Sequence, residues 1–254
     1  MKTLKNYIKE SLSLDMKLNE TSLLDIEGTM EVGDEAIKKI IEKWINDNFK
    51  VTNLKISDNP NNDGKYEVSA ANVNIANRNI ISLTNDMFIW KIVESFNCSN
   101  CPSLISLEGA PEKVGRNFDC SNCESLKSLE GAPEKVGRNF DCSYCPSLIS
   151  LEGSPKEVGR DFYCYDCKSL TSLEGSPKEI DGNFLCNNCD SLKALKCSPK
   201  KVGGRFDCHR CKSLTSLEGA PKEVKGDFDC SECDSLKSTD LPSTTKIKGK
   251  IIDK

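Results

Sequence analysis

The sequence is poor in histidine, in aromatic residues and in long apolar runs. His209 is the only histidine among 254 residues, and aromatic residues make up 6% of the chain. A serine–histidine or cysteine–histidine catalytic pair therefore has one candidate base and no further histidine to support it. No apolar run reaches the roughly 20 residues that a membrane-spanning helix requires. We therefore expect no catalytic residues and no membrane association.

An excess of positive charge is also absent. The formal net charge is −4, with 12 basic and 15 acidic residues up to Ser95 and 23 basic and 24 acidic residues after it. A nucleic-acid-binding domain usually carries a basic patch, so we expect no nucleic-acid partner. The N-terminus lacks the apolar core and the cleavage site of a secretory signal. These absences predict a cytoplasmic protein.

A 22-residue repeat dominates what the chain does contain. Leu107–Ser121 is identical to Leu129–Ser143, and phenylalanine recurs with the same period. Seven copies begin at Phe96, Phe118, Phe140, Phe162, Phe184, Phe206 and Phe228. One copy of this length cannot bury its own apolar side, so stacked copies are expected to share a continuous core.

Each copy combines strand-like alternation with turn residues. In the second copy, Asp119 separates two apolar residues as in a half-buried strand, and Gly131 and Gly137 indicate corners. Six positions of this copy are predicted to form the structural core: Phe118, Cys120, Cys123, Leu126, Leu129 and Val136. The predicted fold is a repeat solenoid of about seven 22-residue coils, made of short β-strands and turns, with degenerate first and last coils.

The residues before the repeat predict a small α+β cap. Residues 34–49 form an amphipathic helix pattern whose apolar stripe is expected to cover the open end of the array. Val51–Ser57 and Lys65–Ser69 predict a hairpin around a turn-rich stretch. The predicted division is a helical tail and possible targeting segment at residues 1–20, the cap at residues 21–70, and the solenoid at residues 71–254.

The repeat resembles a known class of repeat protein. The pattern Phe-x-Cys-x-x-Cys-x-x-Leu-x-Ser-Leu resembles the cysteine-bearing form of the leucine-rich repeat. The complete repeat unit resembles the BspA-like repeats of bacterial surface antigens. The amino-acid sequence of the array also resembles proteins of large tailed phages. Val73–Leu83 fits as a degenerate first copy, with Arg78 in the asparagine position. The resemblance covers about residues 71–250 and implies a leucine-rich-repeat-like, phage-encoded scaffold that binds a protein in the host cytoplasm.

Paired cysteines recur in every copy and allow several interpretations. Eighteen residues separate successive Cys-x-x-Cys pairs, a spacing that fits a zinc template. However, the pairs recur with the 22-residue structural period, so their spacing needs no metal to explain it, and seven pairs do not divide evenly into four-ligand sites. Leucine-rich repeats place an inward-facing Asn or Cys at the second position. We favour reduced, buried cysteines with no metal or cofactor, and we expect Cys197, which replaces a turn glycine, to be partly exposed. A zinc-binding module and disulfides between coils are the alternatives.

Residues that vary between copies on the outward side are candidates for recognition. Tyrosines gather in the middle of the array, near the acidic residues that follow four of the seven phenylalanines. The candidate binding face comprises Tyr144, Tyr163, Tyr165, Leu185, Asp119, Asp141, Asp207 and Asp229. Exposed aromatic residues flanked by acids resemble a modest protein-binding patch, while ordinary variation on a solvated surface is the alternative.

The N-terminus carries a second resemblance. Met1–Leu12 resembles the capsid-targeting sequences of internal head proteins of large tailed phages, with Tyr7–Glu10 as the aromatic core of that motif. Leu18–Glu20 fits the cleavage preference of prohead proteases. The resemblance implies an alternative function as a virion-packaged structural protein from which residues 1–20 are removed.

Overall fold

The computed structural model describes residues 34–84 and 88–254. The predicted helical tail and targeting segment at residues 1–20 lie outside the described residues. The described chain contains one helix, α1 (Asp34–Asn48), followed by eighteen strands. The strands are β1 (Lys50–Thr52), β2 (Lys55–Ile56), β3 (Tyr66–Asn74), β4 (Phe88–Asn97), β5 (Lys113–Val114), β6 (Phe118–Asp119), β7 (Lys135–Val136), β8 (Phe140–Asp141), β9 (Glu157–Val158), β10 (Phe162–Tyr163), β11 (Glu179–Ile180), β12 (Phe184–Leu185), β13 (Lys201–Val202), β14 (Phe206–Asp207), β15 (Glu223–Val224), β16 (Phe228–Asp229), β17 (Lys246–Ile247) and β18 (Ile251–Ile252).

The repeats form a β-solenoid of about eight turns with about 22 residues per turn, which confirms the predicted fold class. Each regular coil contributes two short strands, and each strand pairs in parallel with the equivalent strand of the next coil. In one row Val114, Val136 and Val158 are in register, and in the other row phenylalanines are in register. Strands this short follow from a 22-residue coil that must also make several corners.

A column of phenylalanine rings runs through the core. Successive rings from Phe96 to Phe228 lie 5.2 to 5.5 Å apart between centroids, nearly parallel to one another. All six core positions predicted for the second copy are 0% exposed. Burying one such side chain stabilises a fold by about 1.5–3 kcal/mol, so the repeated column supplies much of the driving force.

Glycine permits the coils to stack closely at their corners. A Cβ on Gly137 would lie 2.1 Å from the carbonyl oxygen of Gly115 in the preceding coil. Gly131 has a φ of +85°, and a Cβ there would lie 2.3 Å from the Glu108 nitrogen. Side chains larger than hydrogen would therefore push adjacent coils apart at these corners.

The cap continues the aromatic column beyond the first regular coil. Helix α1 buries Ile41 and Ile45 against the core. The ring of Trp90 lies 5.3 Å from Phe88 and 6.3 Å from Phe96, the first ring of the column. As the sequence predicts, this end of the core is covered by α1 and β4 and not left open.

The predicted hairpin forms, but its first strand is interrupted. β1 and β2 both pair antiparallel with β3, and Asn53 between them has a φ of 54°. β3 then pairs in parallel with β4, so that Val73 is in register with Phe96. The predicted boundary between cap and solenoid at residue 71 thus falls inside β3, and one strand belongs to both.

Degenerate coils stand at the two ends of the array. Val73 takes the place of phenylalanine in the first coil, with a 23-residue offset to Phe96. At the other end Phe228 pairs with Ile251, and Glu223 pairs with Lys246, again offset by 23 residues. Val73 therefore extends the regular core, whereas at the C-terminal end Ile247 packs against the core and Ile251 is 49% exposed.

Candidate binding face

In most copies the residue after the phenylalanine closes a tight side-chain turn, which we call the Asp turn. The Oδ1 atom of Asp119 accepts hydrogen bonds from the Ser121 backbone nitrogen at 3.0 Å and from its hydroxyl at 2.6 Å. The same pair of bonds joins Asn97 to Ser99, Asp141 to Ser143 and Asp229 to Ser231. These side chains accept hydrogen bonds from backbone N–H groups at the point where the chain leaves the strand.

The Asp-turn carboxylates are less exposed than the sequence predicts. Asp207 and Asp229 are each only 5% exposed, while Asp119 and Asp141 are half-buried. Burial raises the pKa of Asp141 against the opposing effect of the hydrogen bonds from Ser143. These carboxylates are held by hydrogen bonds and ion pairs with neighbouring side chains.

Two middle coils depart from the Asp turn. Tyr163 and Leu185 stand where other copies have aspartate, and Tyr165 and Asn187 stand where most have serine. Tyr163 and Leu185 nevertheless pair in register, so the coil stacking is unchanged. These coils forgo side-chain hydrogen bonds that contribute on the order of 1 kcal/mol each and present half-buried aromatic or apolar groups instead.

Tyr144 occupies a backbone position that suits asparagine better than tyrosine. The equivalent residue has a φ of 54 to 57° in all seven copies: Asn100, Asn122, Tyr144, Asp166, Asn188, Arg210 and Glu232. The left-handed conformation costs a bulky residue about 1–2 kcal/mol. Tyr144 is 50% exposed, so its ring projects into solvent despite this cost.

The three tyrosines form one cluster, which we call the tyrosine cluster. The rings of Tyr144 and Tyr165 lie 5.1 Å apart at an interplanar angle of 80°, and those of Tyr163 and Tyr165 lie 6.3 Å apart at 70°. The Tyr163 hydroxyl donates a hydrogen bond to Asp161 Oδ2 at 3.0 Å. Burial, followed by this bond, raises the pKa of Tyr163 to about 12. The bond to Asp161 therefore fixes the orientation of the Tyr163 ring within the cluster.

A groove of about 470 Å³ adjoins the tyrosine cluster. Its lining combines one aromatic ring with polar and charged side chains: Asn122, Glu124, Tyr144, Pro146, Asp166 and Lys168. The Lys168 ammonium lies 3.1 Å from Asp166 and 3.5 Å from Asp190, and it donates to the Asn188 carbonyl at 2.9 Å. A partner in this groove would contact the ring of Tyr144, Pro146, and the carboxylate of Asp166 that pairs with Lys168.

The cysteines form two inward columns of free thiols. All fifteen are unbridged, and Cys197 is exposed with a φ of 66°, as its position at a glycine turn predicts. The second thiol of each pair donates to a backbone carbonyl of the preceding coil, for example Cys123 Sγ to the Cys98 oxygen at 3.3 Å. The same contact recurs at Cys145, Cys167, Cys189, Cys211 and Cys233.

Burial keeps these thiols in their protonated form. It raises the pKa of Cys123, Cys167 and Cys211 to about 12, and it raises that of Cys98 and Cys120 well above the ordinary thiol value. Zinc binds the thiolate, so the environment of these sulfur atoms opposes metal binding. The contacts instead fit the interpretation of the second cysteine as an inward donor to backbone groups.

One cluster of possible metal ligands lies near the C-terminal end of the array. Asp207, His209 and Asp229 bring their ligand atoms within 4.8 Å of one another. However, the Arg205 guanidinium contacts both carboxylates, and His209 Nδ1 lies 2.7 Å from Asp207 Oδ1. A cation would have to displace this arginine, so the cluster is best described as a buried ion-pair network.

The structure brings some of the predicted face together and separates the rest. Tyr165 contacts both Tyr144 and Tyr163, while Asp207 and Asp229 join Arg205 elsewhere along the array. Sequence reasoning missed the groove and two rows of like charge that the 22-residue period itself could have revealed. These rows are Arg116, Arg138 and Arg160, and Glu108, Glu130, Glu152 and Glu174.

Comparison with protein-family models, with curated proteins and with solved structures found no match. Within the described residues, no helix combines the length and the apolar character that crossing a membrane would require. Function must therefore be argued from the surface of the solenoid.

Proposed function

We propose that this chain is a non-enzymatic scaffold that binds another protein through the tyrosine cluster and the adjoining groove. The observation that carries this proposal is the departure of the middle coils from the Asp turn. Those coils give up local hydrogen bonds and place Tyr163 and Tyr165 beside Tyr144 instead. A change that weakens the scaffold and clusters aromatic side chains at the surface is typical of a recognition site.

The composition of the surface supports a protein as the partner. Tyrosine is enriched at the energetic centres of protein interfaces, where its ring buries a large area and its hydroxyl makes directed bonds. The ring of Tyr144 is half exposed, and the groove beside it offers both apolar and charged contacts. We expect a partner segment with an apolar side chain against Tyr144 and a basic group near Asp166.

The proposal extends to origin and location. We infer a leucine-rich-repeat-like protein of a large tailed phage that acts in the host cytoplasm. Support comes from the amino-acid sequence of the repeat and from the inward second cysteine of each pair. Its thiol donates a hydrogen bond to a backbone carbonyl of the preceding coil. The virion-packaged alternative rests on residues 1–20. Mass spectrometry of purified phage particles tests that alternative, which requires the protein in the particle with an N-terminus after Glu20.

The binding proposal is tested by comparing two double variants of the full chain as bait in cells of its source. Tyr144→Ala with Tyr165→Ala removes two rings of the cluster. Ile105→Ala with Ile149→Ala is the matched control, because these side chains are 51% and 57% exposed at another position of the coil. Removing a tyrosine at the energetic centre of an interface weakens binding by at least about 2 kcal/mol, or roughly thirtyfold.

We expect the tyrosine variant to lose the partners that the wild type and the isoleucine control both recover. Circular dichroism and thermal unfolding must show that both variants remain folded. Unchanged recovery with the tyrosine variant, or equal loss with both variants, would remove the tyrosine cluster from the binding site.

A further inference from the structure

The first four regular coils carry a row of glutamates at one turn, which we call the glutamate row. Glu108, Glu130, Glu152 and Glu174 occupy equivalent positions and are all exposed. The glycine after each glutamate packs on the preceding coil, as Gly131 does on the backbone of Glu108. The spacing of these carboxylates along the solenoid is therefore set by tight backbone stacking.

A row of arginines stands at another corner of the first three coils, which we call the arginine row. Arg116, Arg138 and Arg160 are exposed, and their backbones are joined by hydrogen bonds from Arg138 N to Arg116 O and from Arg160 N to Arg138 O, at 2.8 and 3.1 Å. The adjacent glycines, such as Gly137, again make backbone contact between coils. Both rows thus share the pitch of the solenoid.

Neither row is neutralised by neighbours. Within residues 34–84 and 88–254, the four glutamates and the first two arginines have no ion pair, and Arg160 makes one contact of 3.6 Å to Asp161. Charged positions elsewhere do pair between coils, such as Lys135 with Glu157 at 2.6 Å. Like charges on neighbouring strands destabilise a sheet, so each row should lower the stability of an isolated chain.

We propose that these two rows join copies of this chain, the arginine row of one copy against the glutamate row of another. Charges one coil apart are spaced at about the 4.8 Å distance between strands in both rows. An ordinary extended peptide repeats its same-face side chains at roughly 6.6–6.8 Å, so it falls out of step with such a row. A second solenoid with the same pitch keeps in step, and arginine and carboxylate can pair with two parallel bonds.

The two rows end one coil apart. In the fourth coil Gly182 replaces the arginine, and in the fifth coil Lys196 replaces the glutamate and pairs with Glu218 at 3.3 Å. The arginine row and the glutamate row therefore both lie in the N-terminal half of the array. This confinement matches an interface of limited size, held by exposed ion pairs that salt should weaken.

A row of lysines offers the obvious competing surface. Lys178, Lys200 and Lys222 are exposed in consecutive coils. They lie next to a row in which Glu179 and Glu223 alternate with Lys201, and these carboxylates reduce the positive charge around the lysines. We therefore assign the interface to the arginines and use the lysines as the control.

Sedimentation velocity of the full chain over a range of concentrations tests the assignment. Three double variants are compared: Arg116→Glu with Arg138→Glu, Glu130→Arg with Glu152→Arg, and Lys178→Glu with Lys200→Glu as the control with the same charge change as the first. The wild type and the lysine control should associate at low salt. Raising the salt to about 0.5 M, where the screening length is roughly 4 Å, should weaken association at least about tenfold.

The arginine and glutamate variants should each sediment as monomers, and their equimolar mixture should associate again. Circular dichroism must show that each variant is folded before its sedimentation is interpreted. A wild type that stays monomeric at low salt overturns the proposal. So does a lysine control that is as monomeric as the arginine variant, or a mixture of folded variants that fails to associate.

Discussion

When the pH is raised, this protein should unfold at a lower pH than most proteins do. Thirteen of the fifteen cysteines are buried, and burial raises the pKa of Cys123, Cys167 and Cys211 to about 12. In the unfolded chain the same thiols return to their ordinary value of 9.0. A pKa that is raised in the folded state contributes stability that is complete below the unfolded value. This stability is lost as pH rises through the folded value.

The loss can be worked out for one thiol. Relative to neutral pH, a pKa of about 12 in the folded state and 9.0 in the unfolded state lowers the free energy of unfolding by about 0.4 kcal/mol at pH 9 and about 1.4 kcal/mol at pH 10. Three such thiols lower it by about 4 kcal/mol at pH 10. Because a typical stability is about 5–15 kcal/mol, these three thiols alone remove a large part of it at pH 10, and the other buried thiols, whose pKa values burial also raises, add to the loss.

Urea unfolding followed by circular dichroism under reducing conditions measures this dependence at a series of pH values. The thiolate absorbance should rise together with the loss of structure and not before it. A Cys145→Ser and Cys167→Ser variant keeps two side-chain donors but removes two titrating groups, so its free energy of unfolding should fall less steeply with pH. A free energy that stays constant from pH 7 to about 10, or thiolates that form in the folded protein, would refute the reasoning.

Two further predictions concern accessibility and packing. At neutral pH a thiol reagent should modify Cys197 rapidly and the half-buried Cys233 slowly, leaving the other thirteen thiols until unfolding, and several fast thiols would contradict the buried columns. Gly137→Ala should lower the midpoint of thermal unfolding by about 5–10 °C, because its Cβ would meet a backbone oxygen at 2.1 Å. Gly115→Ala, whose Cβ would lie 3.7 Å from the Glu94 Cα, should leave the midpoint unchanged or slightly raised, and equal midpoints would argue against the stacking at this corner.

The periodic core was predictable because its positions repeat without interruption. Every copy begins with phenylalanine and carries its second cysteine three residues after the first, so the period alone predicts stacked coils with inward rings and thiols. The cap was predictable for a different reason. The apolar stripe of α1 needs a surface to cover, and Trp44 and Phe88 meet at 5.8 Å where the aromatic column begins.

The candidate face was harder to predict because exposure depends on bonds between residues two positions apart. Asp119 and Tyr163 occupy the same position of the coil, yet one closes a turn through Ser121 and the other joins a ring cluster through Tyr165. Backbone conformation adds a further distinction. The left-handed φ of Tyr144 follows from its place in the coil and is not evident from its residue type.

The amino-acid sequence by itself determined the length of the coil, the composition of its core and the places where glycine turns the chain. Those features follow from residue type and period, which act within 22 consecutive residues. The tertiary structure alone decided which acids are buried, which thiols meet which carbonyls and which charges lack a counter-charge. The physical reason is that stacking brings residues 22 positions apart to about 4.8 Å, and at that distance their neighbours determine what each side chain can do.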